Sequence, residues 1–179
     1  MNEGHKWRTK PIFVGVIIMN ERNSLPKNAL PALTLLRILI GWHFLYEGVM
    51  KLYNPAWSAK PYLLSAETMS GLYQWLASDS LIGIVDGLNI VVLIVVGLTL
   101  LLGIFDKYGA LLGIVMLLLY YFAHPAFMDS AQLGAEGNYW IVNKNLIEAG
   151  ALLVLSIIPT GTYFGLQVFF NSSLKKAGA

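Results

Sequence analysis

Four long apolar stretches, separated by shorter polar connections, form the main pattern of the chain and predict four helices. Each stretch has about the 17–25 residues that a helix needs to cross a lipid bilayer. The stretches cover approximately residues 29–53, 81–105, 108–124 and 139–158. The residues "DKYG" (106–109) join the second and third stretches, which should therefore pack as an antiparallel pair, and a proline ends each of the last two. We predict an all-α integral membrane protein built as a four-helix bundle.

The connection between the first two stretches is rich in aromatic residues. It carries Trp57, Tyr62, Tyr73 and Trp75, and several leucines give it an apolar side. Tryptophan and tyrosine concentrate at the level of the lipid headgroups. We predict an aromatic outer interfacial loop, which acts either as a lid or re-entrant segment over the bundle or as a plain interfacial anchor.

Two further segments lie outside the four stretches. Residues 11–19, "PIFVGVIIM", are too few to span a bilayer and precede no small-residue cleavage site, so we expect an interfacial or packed segment. The connection "PAFMDSAQLGAEGN" (125–138) is polar and acidic, and we expect it outside the membrane.

Lysine and arginine are distributed unevenly among the connections, which predicts an orientation in the membrane. One side carries Lys6, Arg8, Lys10, Arg22, Lys27, Lys107, Lys175 and Lys176. The other side carries only Lys60. Both termini should therefore be cytoplasmic. This divides the chain into a cytoplasmic N-terminal segment (1–28), a four-helix membrane domain (29–162) and a cytoplasmic C-terminal tail (163–179).

The composition supports a membrane-embedded chain and excludes several classes of function. Of the 179 residues, 56% are hydrophobic and 12% are charged, with a mean hydropathy of +0.62, whereas soluble domains carry about a quarter charged residues. The lipid bilayer is therefore the expected surrounding. The net charge of +2, without a basic run, argues against nucleic-acid binding. Because the chain has no cysteine, it has no disulfides, thiolate-bound zinc or cysteine-ligated iron–sulfur cluster of its own.

The end of the first stretch, "GWHFLYEGVMKL" (41–52), contains three ionisable residues in an apolar setting. His43, Glu47 and Lys51 stand four residues apart. They therefore share a helical face about 80° wide, and Arg37 falls about 40° beyond Lys51. A charge at membrane depth costs at least about 2.5–3.5 kcal/mol on insertion scales, so this face should point into the bundle.

The other three stretches should bring polar residues to the same depth. Their expected outer ends contain Asp86 and Asn89, then Tyr120, Tyr121 and His124, then Asn143, Lys144, Asn145 and Glu148. Since a helix rises about 1.5 Å per residue, Asp86 and Lys144 should lie roughly 8 Å inside the bundle and Glu148 about 13 Å. Two interpretations stay open: a functional site in the outer half of the bundle, or a charge-balanced network that fixes the register of the helices.

These residue types suit several kinds of ligand. A carboxylate and a histidine at a cavity suit proton transfer, and tyrosines with Trp42 or Trp140 can hold a flat ring. A quinone head group fits this combination, and so does a proton path or a small-anion site. Haem held by His43 and His124 is a weaker reading, because two histidines in a bundle are more often hydrogen-bonded polar groups. We expect no metal and no haem.

Several segments resemble the DoxX/DoxD family of membrane proteins. They are "LLRILIGWHFLYEGVMKLYNPAWSAKPYLL", "IVDGLNIVVLIVVGLTLLLGIF", "LLLYYFAHP" and "GNYWIVNKNLIEAGALLVLSIIPTG", and the resemblance covers about residues 30–162. It implies a four-helix protein of a prokaryotic cytoplasmic membrane. One branch of the family, DoxD, is a subunit of thiosulfate:quinone oxidoreductase and is paired with a second subunit. Other DoxX proteins look like partners of redox or detoxifying enzymes and have no established catalysis of their own.

The resemblance and the depth argument select the same residues. As a hypothesis, His43 and Glu47 are the catalytic residues that exchange protons with a quinone. The expected substrate- and quinone-binding residues are Arg37, Trp42, Tyr46, Lys51, Asp86, Asn89, Tyr120, Tyr121, Asn143, Lys144, Asn145 and Glu148. The alternative is a non-catalytic DoxX-type scaffold or partner subunit of a redox complex. A proton or solute pathway is weaker, since polarity ends near the middle of the fourth stretch. We expect either a second redox subunit or self-association, which small residues would favour: Gly83, Gly87, Gly97, Gly103, Gly109 and Gly113.

Overall fold

The computed structural model describes residues 26, 28–126 and 138–169. The apolar segment at 11–19, most of the acidic connection and the last ten residues lie outside this range. In chain order, the elements are α1 (Ala29–Tyr53), α2 (Lys60–Leu64), α3 (Ser70–Leu76), α4 (Ile82–Leu102), α5 (Asp106–Ala123), β1 (Asn138–Tyr139), β2 (Val142–Asn143), α6 (Lys144–Ile157) and α7 (Gly161–Phe164). The described chain is therefore mostly helical, as the apolar pattern predicts.

Within residues 28–126 and 138–169, three helices are long and apolar enough to cross a membrane. They are α1, α4 and α5, and they match the first three predicted stretches to within a few residues. Their outward faces carry many exposed leucine, isoleucine and valine side chains. Such surfaces are stable only against lipid or another apolar partner, which supports an integral membrane protein.

The fourth predicted stretch is shorter in the structure than in the sequence pattern. Helix α6 has 14 residues, or about 21 Å, against a hydrocarbon core of about 30 Å. The expected start at residue 139 is wrong, because residues 138–143 form a small antiparallel hairpin in which Tyr139 pairs with Val142. Asn143 then ends the strand: its backbone is extended, and its side-chain oxygen accepts the N–H of Leu146 at 3.1 Å. This N-cap fixes the helix start at Lys144.

The connection between α4 and α5 also differs from its prediction. The residues "DKYG" form the first turn of α5, and the chain reverses one step earlier, between Gly103 and Phe105. Gly103 has φ 63° and ends α4 in the left-handed conformation, which glycine adopts without the steric cost that a Cβ brings. The reversal is therefore set by a glycine cap rather than by the polar residues after it.

The central core lies between α1, α4, α5 and α6. Its buried members are Ile40, Phe44, Leu93, Val96, Leu100, Ala110, Leu117, Ala149, Leu152 and Leu155. Helix α1 packs along α4, and α5 packs along α6. The first pair is in close backbone contact, because a Cβ on Gly97 would lie 2.5 Å from the amide nitrogen of Leu45. Of the glycines that suggest self-association, Gly97 thus packs within the chain, whereas a Cβ on Gly83 or Gly87 would meet nothing within 4 Å.

Residues 54–81, between α1 and α4, form a segment that we call the cap. The cap contains α2 and α3 and has a small core of its own, in which Leu63 and Tyr73 are buried beside Ala123 of α5. The end of the helical assembly that it covers is called the cap end below. The location of the cap in the membrane interface stays a prediction.

The cap is fastened to the last turns of α5 through main-chain carbonyls. Tyr73 donates its hydroxyl to Leu119 O at 2.8 Å, and Tyr62 donates to Tyr120 O at 2.9 Å. The N–H of Glu67 donates to Ala123 O at 2.8 Å, and the hydroxyl of Thr68 donates to Phe122 O. The last four carbonyls of a helix lack partners within it. The bonds to Tyr120, Phe122 and Ala123 therefore complete the end of α5, and together with the bond to Leu119 they hold the cap in place.

Candidate functional site

A cavity of about 300 Å³ lies under the cap, between the ends of the long helices. Its lining is His43, Phe44, Glu47 and Lys51 of α1, Trp57, Ser58, Ala59 and Tyr62 of the cap, Asn89 and Leu93 of α4, Leu117 and Tyr120 of α5, and Lys144 and Asn145 of α6. The wall thus combines the aromatic side chains of Phe44, Trp57, Tyr62 and Tyr120 with ionisable groups. Such a mixture of apolar wall and few polar groups is typical of a ligand site.

A histidine of α1 and a carboxylate of α6 meet at the edge of the cavity. The Nδ1 atom of His43 lies 2.8 Å from Oε1 of Glu148. When the Glu148 carboxylate accepts the Nδ1 proton, the Nε2 atom of the neutral ring is left as a proton acceptor. A histidine oriented by a carboxylate in this way can take a proton from a ligand or return one to it.

A second ion pair lies on the same face of α1. The Nζ atom of Lys51 donates to Oε2 of Glu47 at 3.1 Å, one helical turn away. The same ammonium lies 5.4 Å from the ring centroid of Trp57 and 5.9 Å from that of Tyr120, within the range of a cation–π interaction. The lysine is therefore held between a carboxylate and two aromatic walls, with its charge at the cavity.

The cavity also has a polar side formed by α4 and α5. The Nδ2 atom of Asn89 lies 2.6 Å from the hydroxyl oxygen of Tyr120. The side-chain oxygen of Asn89, Oδ1, is buried and accepts no hydrogen bond from the described residues. An unpaired buried polar group costs about 1–3 kcal/mol, so the asparagine carries an unused hydrogen-bonding capacity beside the cavity.

Helix α6 brings an exposed cation to the rim. Lys144 is the first residue of α6 and lines the cavity with Asn145. It takes part in none of the five ion pairs formed by residues 28–126 and 138–169. Glu148, one helical turn further along α6, pairs with His43 instead of with Lys144, so among the described residues the lysine is available to an anionic group.

Comparison with known proteins identifies the family. The family model DoxX matches residues 32–125, which is more than half of the chain. The chain belongs to the DoxX family. The match runs from α1 to the end of α5 and thus includes His43, Glu47, Lys51, Asn89 and Tyr120 of the cavity. No curated protein and no solved structure matches the chain.

The family and the three apolar helices together make this chain a membrane protein of the DoxX family. The prediction of the DoxX family is thereby confirmed. A DoxD-like role, the quinone site and the orientation stay predictions.

Seven of the expected site residues lie outside the cavity lining of this DoxX protein. They are Glu148, which reaches the cavity only through its hydrogen bond to His43, then Arg37, which is described below, and the five that follow here. Asp86 accepts the N–H of Ala59 at 2.8 Å and so holds the cap, while Asn143 caps α6. The hydroxyl of Tyr121 donates to Ile141 O at 2.8 Å and holds the hairpin. Two aromatic residues of α1 point away from the helical core, namely Trp42 at 61% and Tyr46 at 52% exposure. Asp86, Asn143 and Tyr121 therefore position the cap, α6 and the hairpin, and the two aromatic residues of α1 face outward.

Arg37 lies at the end opposite to the cap. It is 1% exposed, donates to Thr160 Oγ1 and Phe164 O at 2.9 Å each, and lies 3.6 Å from Oδ2 of Asp106. The same carboxylate oxygen accepts the N–H of Gly161 at 2.7 Å. The arginine thus ties α1 to α5 and α7 and is not part of the cavity.

Sequence reasoning offered a lid over the bundle as one interpretation of the cap, with plain interfacial anchoring as the other, but it did not name any cap residue as part of the site. Trp57 and Tyr62 nevertheless line the cavity. The sequence indicates their role only through their position, in an aromatic segment that directly follows the polar face of α1. Trp140, which was considered as a ring-holding residue, lies in the hairpin turn at 64% exposure and outside the lining.

Proposed function

We propose that this DoxX protein binds a quinone head group in the cavity and serves as the membrane subunit of a quinone-dependent oxidoreductase, similar to the DoxD component of thiosulfate:quinone oxidoreductase. The observation that carries this proposal is the combination in one cavity of the His43–Glu148 pair, the Glu47–Lys51 pair and aromatic walls. The pairs suit proton exchange, and the walls suit a flat ring.

The cavity fits one substituted ring with oxygen atoms. Trp57, Tyr62 and Tyr120 supply aromatic surfaces on two sides, from the cap and from α5. Lys51, Lys144 and Asn89 supply hydrogen-bonding groups for ring oxygens. The unpaired Oδ1 atom of Asn89 supports a ligand here, because after a small rotation of the amide it can accept a hydrogen bond from a hydroxyl of the reduced ring.

The ionisable residues have separate roles in this proposal. A bound quinone supplies redox chemistry, taking up two electrons and two protons. Glu148 holds the Nδ1 proton of His43, so that Nε2 exchanges protons with a ring oxygen. Glu47 is the second proton-exchanging group, and Lys51 keeps its carboxylate next to the cavity. Lys144 stabilises negative charge on a ligand oxygen at the rim.

The electrons come from another component. In the DoxD-like reaction, two thiosulfate anions join through a new sulfur–sulfur bond to give tetrathionate and release two electrons. Those electrons reduce the quinone, and the two protons enter through the cavity residues. A second redox subunit fits this division of labour, because thiosulfate is a water-soluble anion and the cavity described above belongs to a membrane domain.

The membrane arrangement completes the proposal. Helices α1, α4, α5 and α6 form the four-helix membrane domain, with α6 entering the bilayer only in part. Both termini face the cytoplasm of a prokaryotic cell, as the lysine and arginine distribution indicates. The cap then lies on the outer side as an aromatic interfacial layer over the site.

Extraction of lipids from the purified protein tests this function. We expect mass spectrometry to find about one quinone per wild-type chain, and far less in Glu47→Gln and His43→Gln. Glu67→Gln is a matched control, since Glu67 is a cap carboxylate that lies 3.6 Å from His124 and outside the cavity lining. A wild-type protein without quinone, which also fails to take up added quinone, would exclude the proposal.

A specific observation favours a second function, that of a non-catalytic scaffold or partner subunit. Three of the four described carboxylates of the helices are already paired internally, in Glu47–Lys51, Arg37–Asp106 and His43–Glu148, and the fourth, Asp86, accepts a backbone N–H. A register network would show the same pairs. In that case Glu47→Gln lowers the thermal stability and the binding of a partner subunit, and no quinone is found at any stage.

A further inference from the structure

The most exposed ionisable residues of the cavity lining lie on α1 and α6. The His43 and Glu47 side chains are 42% and 45% exposed, and Lys144 is exposed at the start of α6. Helix α1 packs mainly along α4, and α6 packs mainly along α5. At the cavity, α1 and α6 are joined by the His43–Glu148 hydrogen bond. The mouth of the cavity is therefore a gap between these two helices.

The cap lies over the top of the cavity; among its lining residues Ala59 is buried, Trp57 and Ser58 are half-buried, and Tyr62 is 38% exposed. Trp57, Ser58 and Ala59 form this part of the wall, and Asp86 fixes the chain there by accepting the N–H of Ala59. The carbonyls at the end of α5 hold the rest of the cap through Tyr62 and three further bonds. A ligand that came through the cap would have to break several of these bonds.

The mouth lies at the depth of the lipid chains. Helix α1 is about 37 Å long, so it extends only a few ångströms beyond a hydrocarbon core of about 30 Å at either end. Glu47 and His43 lie about 9 and 15 Å along the helix from its last residue, Tyr53. The gap between α1 and α6 is thus flanked by acyl chains rather than by water.

The size of the cavity limits what can enter it. Its volume of about 300 Å³ is at the lower end of the range of ligand pockets. One ring with its substituents fits such a space, and a long hydrocarbon chain does not. A chain attached to the ring would have to stay in the mouth, beside the apolar outer surfaces of α1 and α6, where Met50 and Ile147 are exposed.

We propose that the cavity takes its ligand sideways from the bilayer through the gap between α1 and α6, and that this ligand is an amphiphile with one ring and a hydrocarbon chain that remains in the gap. The nature of the ring rests on the function proposed above. The route and the need for a chain rest on the hydrogen bonds that hold the cap in place, on the exposed His43 and Glu47 side chains and on the depth of the mouth.

Photolabelling of the full chain in phosphatidylcholine nanodiscs tests the route. Two benzoquinone probes carry a diazirine, one on the ring and the other at the end of a decyl chain. We expect the ring probe to label cavity peptides that contain Trp57 or Tyr120. The chain probe should label α1 and α6 near Met50 and Ile147. Excess decyl-benzoquinone without a diazirine should abolish both labels, which separates bound probe from probe dissolved in the lipid.

The outcomes distinguish the route from the function. If the ring probe labels the cavity but the chain probe labels only the cap or the outer faces of α4 and α5, the sideways route is wrong and the ring site stands. If neither probe gives a label that competitor removes, both the ring site and the route fail. A chainless benzoquinone that competes as well as decyl-benzoquinone, at equal concentration in the bilayer, would overturn the need for a chain.

Discussion

The Nδ1 atom of His43 lies 2.8 Å from Oε1 of Glu148. This hydrogen bond joins helices α1 and α6 through two residues that are 105 positions apart in the chain. The pair sits where α1 and α6 border the cavity, and it orients the imidazole toward the cavity. The carboxylate is 13% exposed, whereas the imidazole is 42% exposed. The Glu148 carboxylate is therefore largely shielded from the surroundings, whereas the ring nitrogen Nε2 of His43 is accessible to a ligand.

Removing the charge of Glu148 should impair proton exchange at His43 without unfolding the protein. Glu148→Gln keeps the size of the side chain but can no longer hold the Nδ1 proton of His43 as a carboxylate does. General acid–base residues contribute about 100-fold or more to rates, so we expect quinone reduction to fall by about that factor. The pH–rate profile should lose one of its limbs. Glu67→Gln is the matched control, and equal rates in all three proteins would contradict the role of the pair.

The buried ion pair at the end opposite to the cap should affect stability and not ligand binding. Arg37→Met leaves Asp106 buried without its cationic partner, and breaking a buried pair in this way costs about 3–5 kcal/mol. We expect a lower unfolding temperature in detergent, with the quinone content of the folded fraction unchanged. The double variant Arg37→Met/Asp106→Leu should recover part of the loss. Loss of quinone from fully folded Arg37→Met would show that this end communicates with the cavity.

Two glycines of α4 should respond oppositely to the same substitution. A Cβ on Gly97 would lie 2.5 Å from the amide nitrogen of Leu45, so Gly97→Ala should push α1 from α4 and cost about 1–3 kcal/mol. A Cβ on Gly87 would meet nothing within 4 Å, so Gly87→Ala should be neutral or stabilise by up to about 1 kcal/mol. Unfolding in detergent measures both. A stable Gly97→Ala protein would mean that the two helices are not in close contact.

The cap should loosen at alkaline pH because of two tyrosines. Burial raises the pKa of Tyr62 and of Tyr73 above the ordinary value of about 10. The unfolded chain ionises first, so their contribution to stability is fully present below pH 10 and falls as the pH rises above it. We expect proteolysis within residues 54–81 to increase above pH 10. The double variant Tyr62→Phe/Tyr73→Phe should be cleaved more readily at neutral pH, with a smaller further increase above pH 10. Tyr53→Phe, at an 80% exposed position, should match the wild type throughout.

The sequence by itself determined the helices whose apolar length fits a bilayer. The bounds of α1 agree fully with the predicted stretch, and those of α4 and α5 agree within a few residues. It also determined the Glu47–Lys51 pair, because residues four apart on a helix are neighbours whatever surrounds them. The family follows from the sequence too, since the DoxX model matches residues 32–125.

Only the tertiary structure decided which polar residues meet. Helical periodicity fixes the angle of a side chain around its own helix but not the neighbour it faces. Arg37 was expected in the same site as Lys51, yet it pairs with Asp106. Because a helix rises about 1.5 Å per residue, Arg37 lies about 21 Å from Lys51 along α1, at the opposite end of the same face. Glu148 could have paired with Lys144 on its own helix, but the packing of α1 near α6 offered His43 instead. The cap became a wall of the cavity for the same reason: contacts between distant segments, such as Tyr62 with Tyr120 O, depend on how the helices are arranged in space.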